Sequence, residues 1–221
     1  MNKRQLISRI EQMRTFEPAT AKVALEQYPT DAIAAVELVF IAGFMHDDLR
    51  GRLVIDLGTG TGRLAISAIC MGAWRAIGVE IDPDALALAS ENATAFGLER
   101  RLDLVLGDVD QLALVPDRHG DGVTVIMNPP FGVQVKGADA RFLLAAMALP
   151  GVDVIYSCHL TNEKNRTFLR KLADASGWRV VELRQTTMIL PKLYEFHEKK
   201  RKEIEVDIYR IQPRTKCPRP S

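Results

Sequence analysis

Residues 53–65, "LVIDLGTGTGRLA", decide the fold. A short apolar strand closes at Asp56, and a glycine series, Gly58, Gly60 and Gly62, then leads into a helix. Glycines at such a junction permit a tight turn and let a ligand come close to backbone. Taken alone the stretch is ambiguous, because "GTGRLA" at 60–65 also satisfies the dinucleotide pattern G-x-G-x-x-A. The carboxylate of Asp56 shifts the balance, since it would confront a pyrophosphate unfavourably but tolerate an amino group and a sulfonium. S-adenosylmethionine carries both.

Outward from this stretch, short apolar runs alternate with helical patterns: "AIGVEI", "LDLVLGD", "VTVIMN" and "VDVIYSCH" are each followed by a helix or a loop. That alternation predicts an α/β fold of the Rossmann-like type, a mostly parallel sheet covered on both faces. The helix after Asp82 is the clearest, with Asp82 as N-cap, Pro83 in the first turn, Leu86, Ala89, Ala93 and Phe96 on one face, and Gly97 after the end. Helices at about 2–15, 19–27 and 30–45 precede the first strand as an N-terminal extension over residues 1–50. Residues 178–190 and 203–211 follow one another without a helix, so they pair antiparallel through the connection 191–202. Residues 51–212 then form the main domain, and 213–221 a frayed, flexible tail.

Composition narrows the class. The 221 residues are 47% hydrophobic, and 29 Lys plus Arg against 28 Asp plus Glu leave a net charge of +1, so any polyanion-binding surface must be local. Cys70, Cys158 and Cys217 lie far apart, which argues against a disulfide framework or a cysteine zinc site and predicts a reducing, cytoplasmic setting. No run approaches the about 20 apolar residues of a membrane span.

Three acidic groups fall at the carboxyl ends of the first three strands, where open α/β sheets bind ligands. Besides Asp56, Glu80 is placed to accept from two ribose hydroxyls and Asp108 from an adenine amine, with Ile81 and Val109 beside them in the cofactor site. Each aspartate alone is also a common turn or cap residue. The fourth strand ends "VIMNPPFG" (125–132). An exocyclic amine is a poor nucleophile until its lone pair is localised. The side-chain oxygen of Asn128, which also borders the cofactor, and the carbonyl of Pro129 are placed to accept from such an NH₂ and favour a tetrahedral nitrogen. Pro130 stiffens the turn, and Phe131 offers a face on which a base stacks.

The chain here resembles the class I methyltransferases with the Asn-Pro-Pro-(Phe/Tyr) signature. "EQYPT" (26–30), "VIMNPPFG", "KGAD" (136–139), "IYSCH" (155–159) and "YEFHEKKRKEIEVD" (194–207) make it similar, more narrowly, to the methyltransferase-like-five family of small-subunit ribosomal RNA adenine-N6 methyltransferases, in an archaeal version. The resemblance implies a seven-stranded sheet of order 3-2-1-4-5-7-6 with strand 7 antiparallel, cofactor contacts from Gln27, Tyr28 and Thr30 together with Gly58 and Gly60, and catalysis by Asn128, Pro129, Pro130 and Phe131. The loop "GTGTG" departs from eukaryotic relatives, which carry cysteines there, and its backbone role is unaffected. The family's third implication is a small zinc-binding activator protein pairing with the open edge strand at 102–108, where Leu102, Leu104 and Leu106 alternate.

Weaker signals remain. Phe196, His197, Lys199, Lys200 and Lys202 combine aromatics with basic residues and suit RNA, although a solvated charge run explains the lysines nearly as well. His46, His119 and His159 lack ligand spacing, and no metal set is expected. The competing activity is protein glutamine-N5 methylation, because a side-chain amide presents the same planar NH₂. A binding module that has lost catalysis is disfavoured by the intact Asn128.

Overall fold

The computed structural model describes residues 2–16, 22, 30–116, 120–132, 135–191 and 201–214. The helix expected at 19–27, His119, Cys217 and the tail from 215 lie outside the described residues. The elements run α1 (Lys3–Glu11), α2 (Ala32–Phe40), β1 (Leu53–Leu57), α3 (Arg63–Cys70), β2 (Arg75–Glu80), α4 (Pro83–Ala95), β3 (Leu102–Leu106), β4 (Val123–Met127), α5 (Ala138–Ala148), β5 (Val152–Leu160), α6 (Glu163–Ala175), β6 (Trp178–Pro191) and β7 (Arg201–Pro213). Among these residues no helix is long and apolar enough to cross a membrane.

The seven strands form one sheet in the order β3-β2-β1-β4-β5-β7-β6, parallel except for β7, which is antiparallel to both its neighbours. The order is the one implied by the family resemblance. β1 and β4, at the centre, are buried at every position, so their sequences are apolar on both faces. Side chains still alternate: Ile126 joins the core layer beneath α1, α2 and α3, whereas Val125 and Met127 join the layer beneath α5 and α6.

Local detail departs from the sequence reading in four places, the first being the helix expected at about 2–15, which ends at Glu11. The helix expected over 30–45 ends as α at Phe40 and continues as a π turn over Ile41–Met45. On α4, Ala89 and Ala93 are buried as expected, but Leu86 and Phe96 are half-buried while Ala85 and Asn92 take fully buried positions. Phe96 is instead capped by the guanidinium of Arg9 from α1, 4.5 Å above its ring. The hairpin strands reach Pro191 and Arg201, which pair with each other, so the connection is shorter than 191–202.

The N-terminal extension is tied to the sheet by one buried carboxylate. Asp48 accepts from Tyr156 Oη at 2.7 Å and from Arg210 Nε at 2.9 Å, and Thr124 donates to its backbone carbonyl. The three donors come from β4, β5 and β7. Arg210 also donates to the Tyr156 oxygen, so the cluster is closed on itself. Burial, reinforced by the adjacent Asp48 charge, holds the Tyr156 phenol protonated far above its usual range. Asp48→Ala should cost roughly 3–5 kcal/mol, because Arg210 loses its counter-ion, and Tyr156→Phe only about 1 kcal/mol. Urea unfolding of both variants measures the difference.

Candidate active site

A cleft opens at the carboxyl ends of β1 to β4. It encloses about 1140 Å³ including its mouth, ample for a nucleoside-sized ligand. Its floor is the loop from Gly58 to Gly62. Gly58 (φ +70°) and Thr59 donate to Val79 O at 2.9 and 3.0 Å, stitching the loop to β2. A Cβ on Gly58 would lie 2.8 Å from the Phe142 ring, so both conformation and space demand glycine there. A Cβ on Gly60 would meet nothing within 4 Å; that position faces open cleft.

The acidic residues divide into two kinds. Glu80 and Asp108 line the cleft, with Ile81 and Val109 beside them. Glu80 accepts from Gly60 N at 2.9 Å, Ile81 N at 2.9 Å and Asp82 N at 3.1 Å. Burial raises its pKa, and these backbone donors oppose the rise. Three of the about four lone pairs of the carboxylate are therefore engaged. Asp108 caps a 3₁₀ turn, accepting from Asp110 N at 3.1 Å, with Arg141 Nη2 at 3.8 Å. Asp56 is different. It is wholly buried beneath the loop, where its Oδ2 accepts from Thr59 Oγ1 at 2.7 Å and Ala65 N at 3.0 Å. It does not line the cleft; the expected cofactor-facing carboxylate is a brace under the turn.

On the opposite wall, Asn128 Nδ2 donates to Thr30 Oγ1 at 3.1 Å, leaving Asn128 Oδ1 buried and without a partner among the described residues. Thr30 O in turn accepts from Arg63 Nη1 at 2.6 Å. The turn after Asn128 separates two cavities: Pro130 lines the cleft, whereas Phe131 packs against the core and lines a second, shallower groove. Gln27, Tyr28, Phe196, His197, Lys199 and Lys200 lie outside the described residues, and of Lys202 only the backbone is described, paired with Leu190.

Several cleft residues had no role assigned from sequence: Thr59, Thr61 and Arg63, although they lie within the glycine stretch, and Arg141 and Phe142. Asn92 acts from behind, donating to Thr61 O at 2.9 Å and to Arg14 O at 3.0 Å while accepting from Arg14 N at 2.8 Å. An asparagine in the middle of the apolar face of α4 was the available signal. The two described histidines stand apart from the cleft: His46 pairs with Glu182, and His159 is buried against Ser157 Oγ at 2.6 Å.

The ribosomal protein L11 methyltransferase family (PrmA) matches residues 32–125. An uncharacterised protein of Methanocaldococcus jannaschii is 38% identical over 198 residues, 86% of either chain. The rRNA N(6)-adenosine-methyltransferase METTL5 of Danio rerio is 36% identical over 219 residues, 96% of this chain and 100% of its own. A solved structure from Pyrococcus horikoshii, provisionally named an RNA methyltransferase, superposes with a TM-score of 0.85 at 37% identity, covering 96% of this chain and 98% of its own.

The brace makes a testable claim about pH. Burial pushes the Asp56 carboxyl from its ordinary 3.8 up to about 7, against the opposing pull of the Thr59 hydroxyl and the Ala65 N–H. The folded chain thus keeps a proton that the unfolded chain gives up from about pH 4 upward, so this group's contribution is full below that pH and is lost as pH rises through 7. Asp56→Asn should flatten that part of the stability profile. Urea midpoints of variant and parent across pH 4–8 provide the measurement.

Proposed function

The chain belongs to the METTL5 family of rRNA N(6)-adenosine-methyltransferases, and on that premise we propose that it methylates N6 of an adenine in small-subunit ribosomal RNA, in the cytoplasm, with S-adenosylmethionine as cofactor. Bound S-adenosylmethionine supplies an activated methyl group. The cleft suits it: carboxylates lie at the ends of β2 and β3, apolar side chains of Ile81 and Val109 lie beside them, and space lies open above Gly60. In this reading Glu80 takes the ribose hydroxyls, Asp108 the adenine amine, and the backbone at Gly58 and Gly60 the methionine end; Gln27, Tyr28 and Thr30 complete the site from the extension. The backbone donors already on Glu80 mean that two ribose hydroxyls share its remaining acceptor capacity.

The observation that carries the reading is the Oδ1 of Asn128, buried and unpartnered among the described residues. A buried amide oxygen without a donor is costly, and a ligand NH₂ relieves it. Thr30 fixes the amide by accepting from its other end, so the oxygen, not the nitrogen, is left for the target amine. With the Pro129 carbonyl it would draw both amine protons toward fixed acceptors and localise the nitrogen lone pair. Pro130 stiffens this turn, and Phe131 borders the groove on its far side. No strong base is required before transfer. The match to the L11 methyltransferase family ends at Val125, short of Asn128, so it bears on the cofactor half and does not favour a protein substrate.

Residues 51–212 form the catalytic unit in this proposal, and 1–50 an extension that completes its site through Thr30. The hairpin of β6 and β7 supports an RNA-facing role for Phe196, His197, Lys199, Lys200 and Lys202, because Leu160, at the carboxyl end of β5, pairs with Val206 and both hairpin strands continue beyond it. At the other edge, β3 pairs with β2 alone among the described strands, and Leu106 is 60% exposed. That edge supports pairing with a small zinc-binding activator protein.

Asn128→Ala should abolish N6-methyladenosine formation in ribosomal RNA, read by nucleoside mass spectrometry, while cofactor affinity by calorimetry stays within a few-fold. Equal loss of both would remove Asn128 from target chemistry. Leu104→Pro should prevent co-purification of the activator while the isolated chain keeps its far-ultraviolet circular dichroism, since an edge strand tolerates proline better than a central one.

A further inference from the structure

Beyond the turn that carries Asn128, the second groove is bordered by Phe131, Leu160, Asn165, Lys164 and Phe168, with Asp139 on its inner wall. Phe131 and Leu160 also pack against the core, whereas Lys164 and Phe168 are exposed. Phe168 is 48% exposed, because Leu169 and Ala173 already fill the core side of α6. Lys164, Phe168 and Lys171 stand at i, i+4 and i+7, so they form one exposed stripe, cation, ring, cation, that begins at the groove. Neither lysine makes an ion pair with another described residue, although Arg166 on the same helix is fully engaged with Asp207 and Glu163. Asn165, at the groove's end, is held by a bond from its Nδ2 to Leu160 O at 3.1 Å.

We propose that this groove and the exposed face of α6 bind the single-stranded RNA that flanks the methylated adenine, with one neighbouring base stacked on Phe168 and its phosphates on Lys164 and Lys171. The inference rests on the RNA reading above and extends it to residues outside the β6–β7 hairpin. Two physical points select the occupant. The groove lies on the other side of the catalytic turn from the cleft, since Phe131, which borders it, follows Pro130, which lines the cleft, so an occupant would sit beside the target. Its charge is also ordered: the Asp139 carboxylate inside would repel a phosphate, while the lysines outside attract one. A strand of RNA presents that arrangement, an uncharged base inward and phosphates outward. An exposed ring that accepts any base, flanked by cations, is the common design of single-strand tracks.

The test uses the full chain and a short fluorescein-labelled single-stranded oligoribonucleotide containing one adenine, with affinity measured across several salt concentrations. Phe168→Ala should weaken binding roughly 5- to 150-fold without changing the salt slope, and Phe168→Tyr should restore it. Lys164→Ala with Lys171→Ala should lower the slope by about 1.4, two single-strand phosphate contacts. Cofactor affinity and melting temperature should stay at parental values in every variant. The track is overturned if Phe168→Ala binds like the parent, if Phe168→Leu restores binding as well as tyrosine does, or if the double variant keeps the parental slope. Binding is read independently of turnover, so the two readings separate. Phe168-dependent binding without any N6-methyladenosine would support the track and sink the methylation reading. Parental methylation kinetics in Phe168→Ala would do the reverse.

Discussion

The cleft exists because a carboxylate lies underneath it. Asp56 joins the Thr59 hydroxyl to the Ala65 N–H, one on the ascending side of the glycine loop and one in the first turn of α3, and so closes the turn from below. With the loop fixed there, Gly60 N can donate to Glu80, which orients the second carboxylate from β2. Gly58 is held against the ring of Phe142 from α5, so the opposite layer of the fold also registers on this turn. Loss of the brace would reach the ligand only through the loop, an indirect route that a static list of cleft residues does not display.

On the far wall the same economy of parts appears in Asn128. One end of its amide is committed to Thr30, 98 residues away in sequence, and the other end is left open. The extension thereby does more than cover the sheet. Asn92 reinforces it by holding Arg14 and Thr61 with the same side chain, linking the segment after α1, the glycine loop and α4 around one buried amide. A polar group inside an apolar face is stable when every bond it can make is made, and here those bonds join segments that share no secondary structure.

The sheet was legible because its signals are local. Strand length, glycine placement, the Asp82 cap and the chain's alternation each act within a few residues, and all seven strands formed where those signals lie. The carboxylates were legible as a group, but not their directions. Whether Asp56 points into the cleft or beneath the loop depends on Thr59 and Ala65 closing a ring that no linear pattern encodes. Phe142, Arg141 and Asn92 were silent for the same reason: each is ordinary helix sequence until α4 and α5 are packed. The π turn after Phe40 likewise follows from tertiary packing, since "IAGFM" has no distinctive local code.

Asp48 has one consequence for synthesis on the ribosome. Its buried partner Arg210 lies 162 residues later, in the last strand, and β7 must insert between β5 and β6 before the two can meet. While the chain is still emerging, Thr124 and Tyr156 can already hold Asp48, but its cationic partner from the last strand is missing. The ion pair between Asp48 and Arg210 therefore closes only when the carboxyl-terminal hairpin docks. A nascent chain lacking that hairpin has five of the seven strands and a buried Asp48 carboxylate short of Arg210, so truncation leaves a buried charge poorly compensated at the root of the extension.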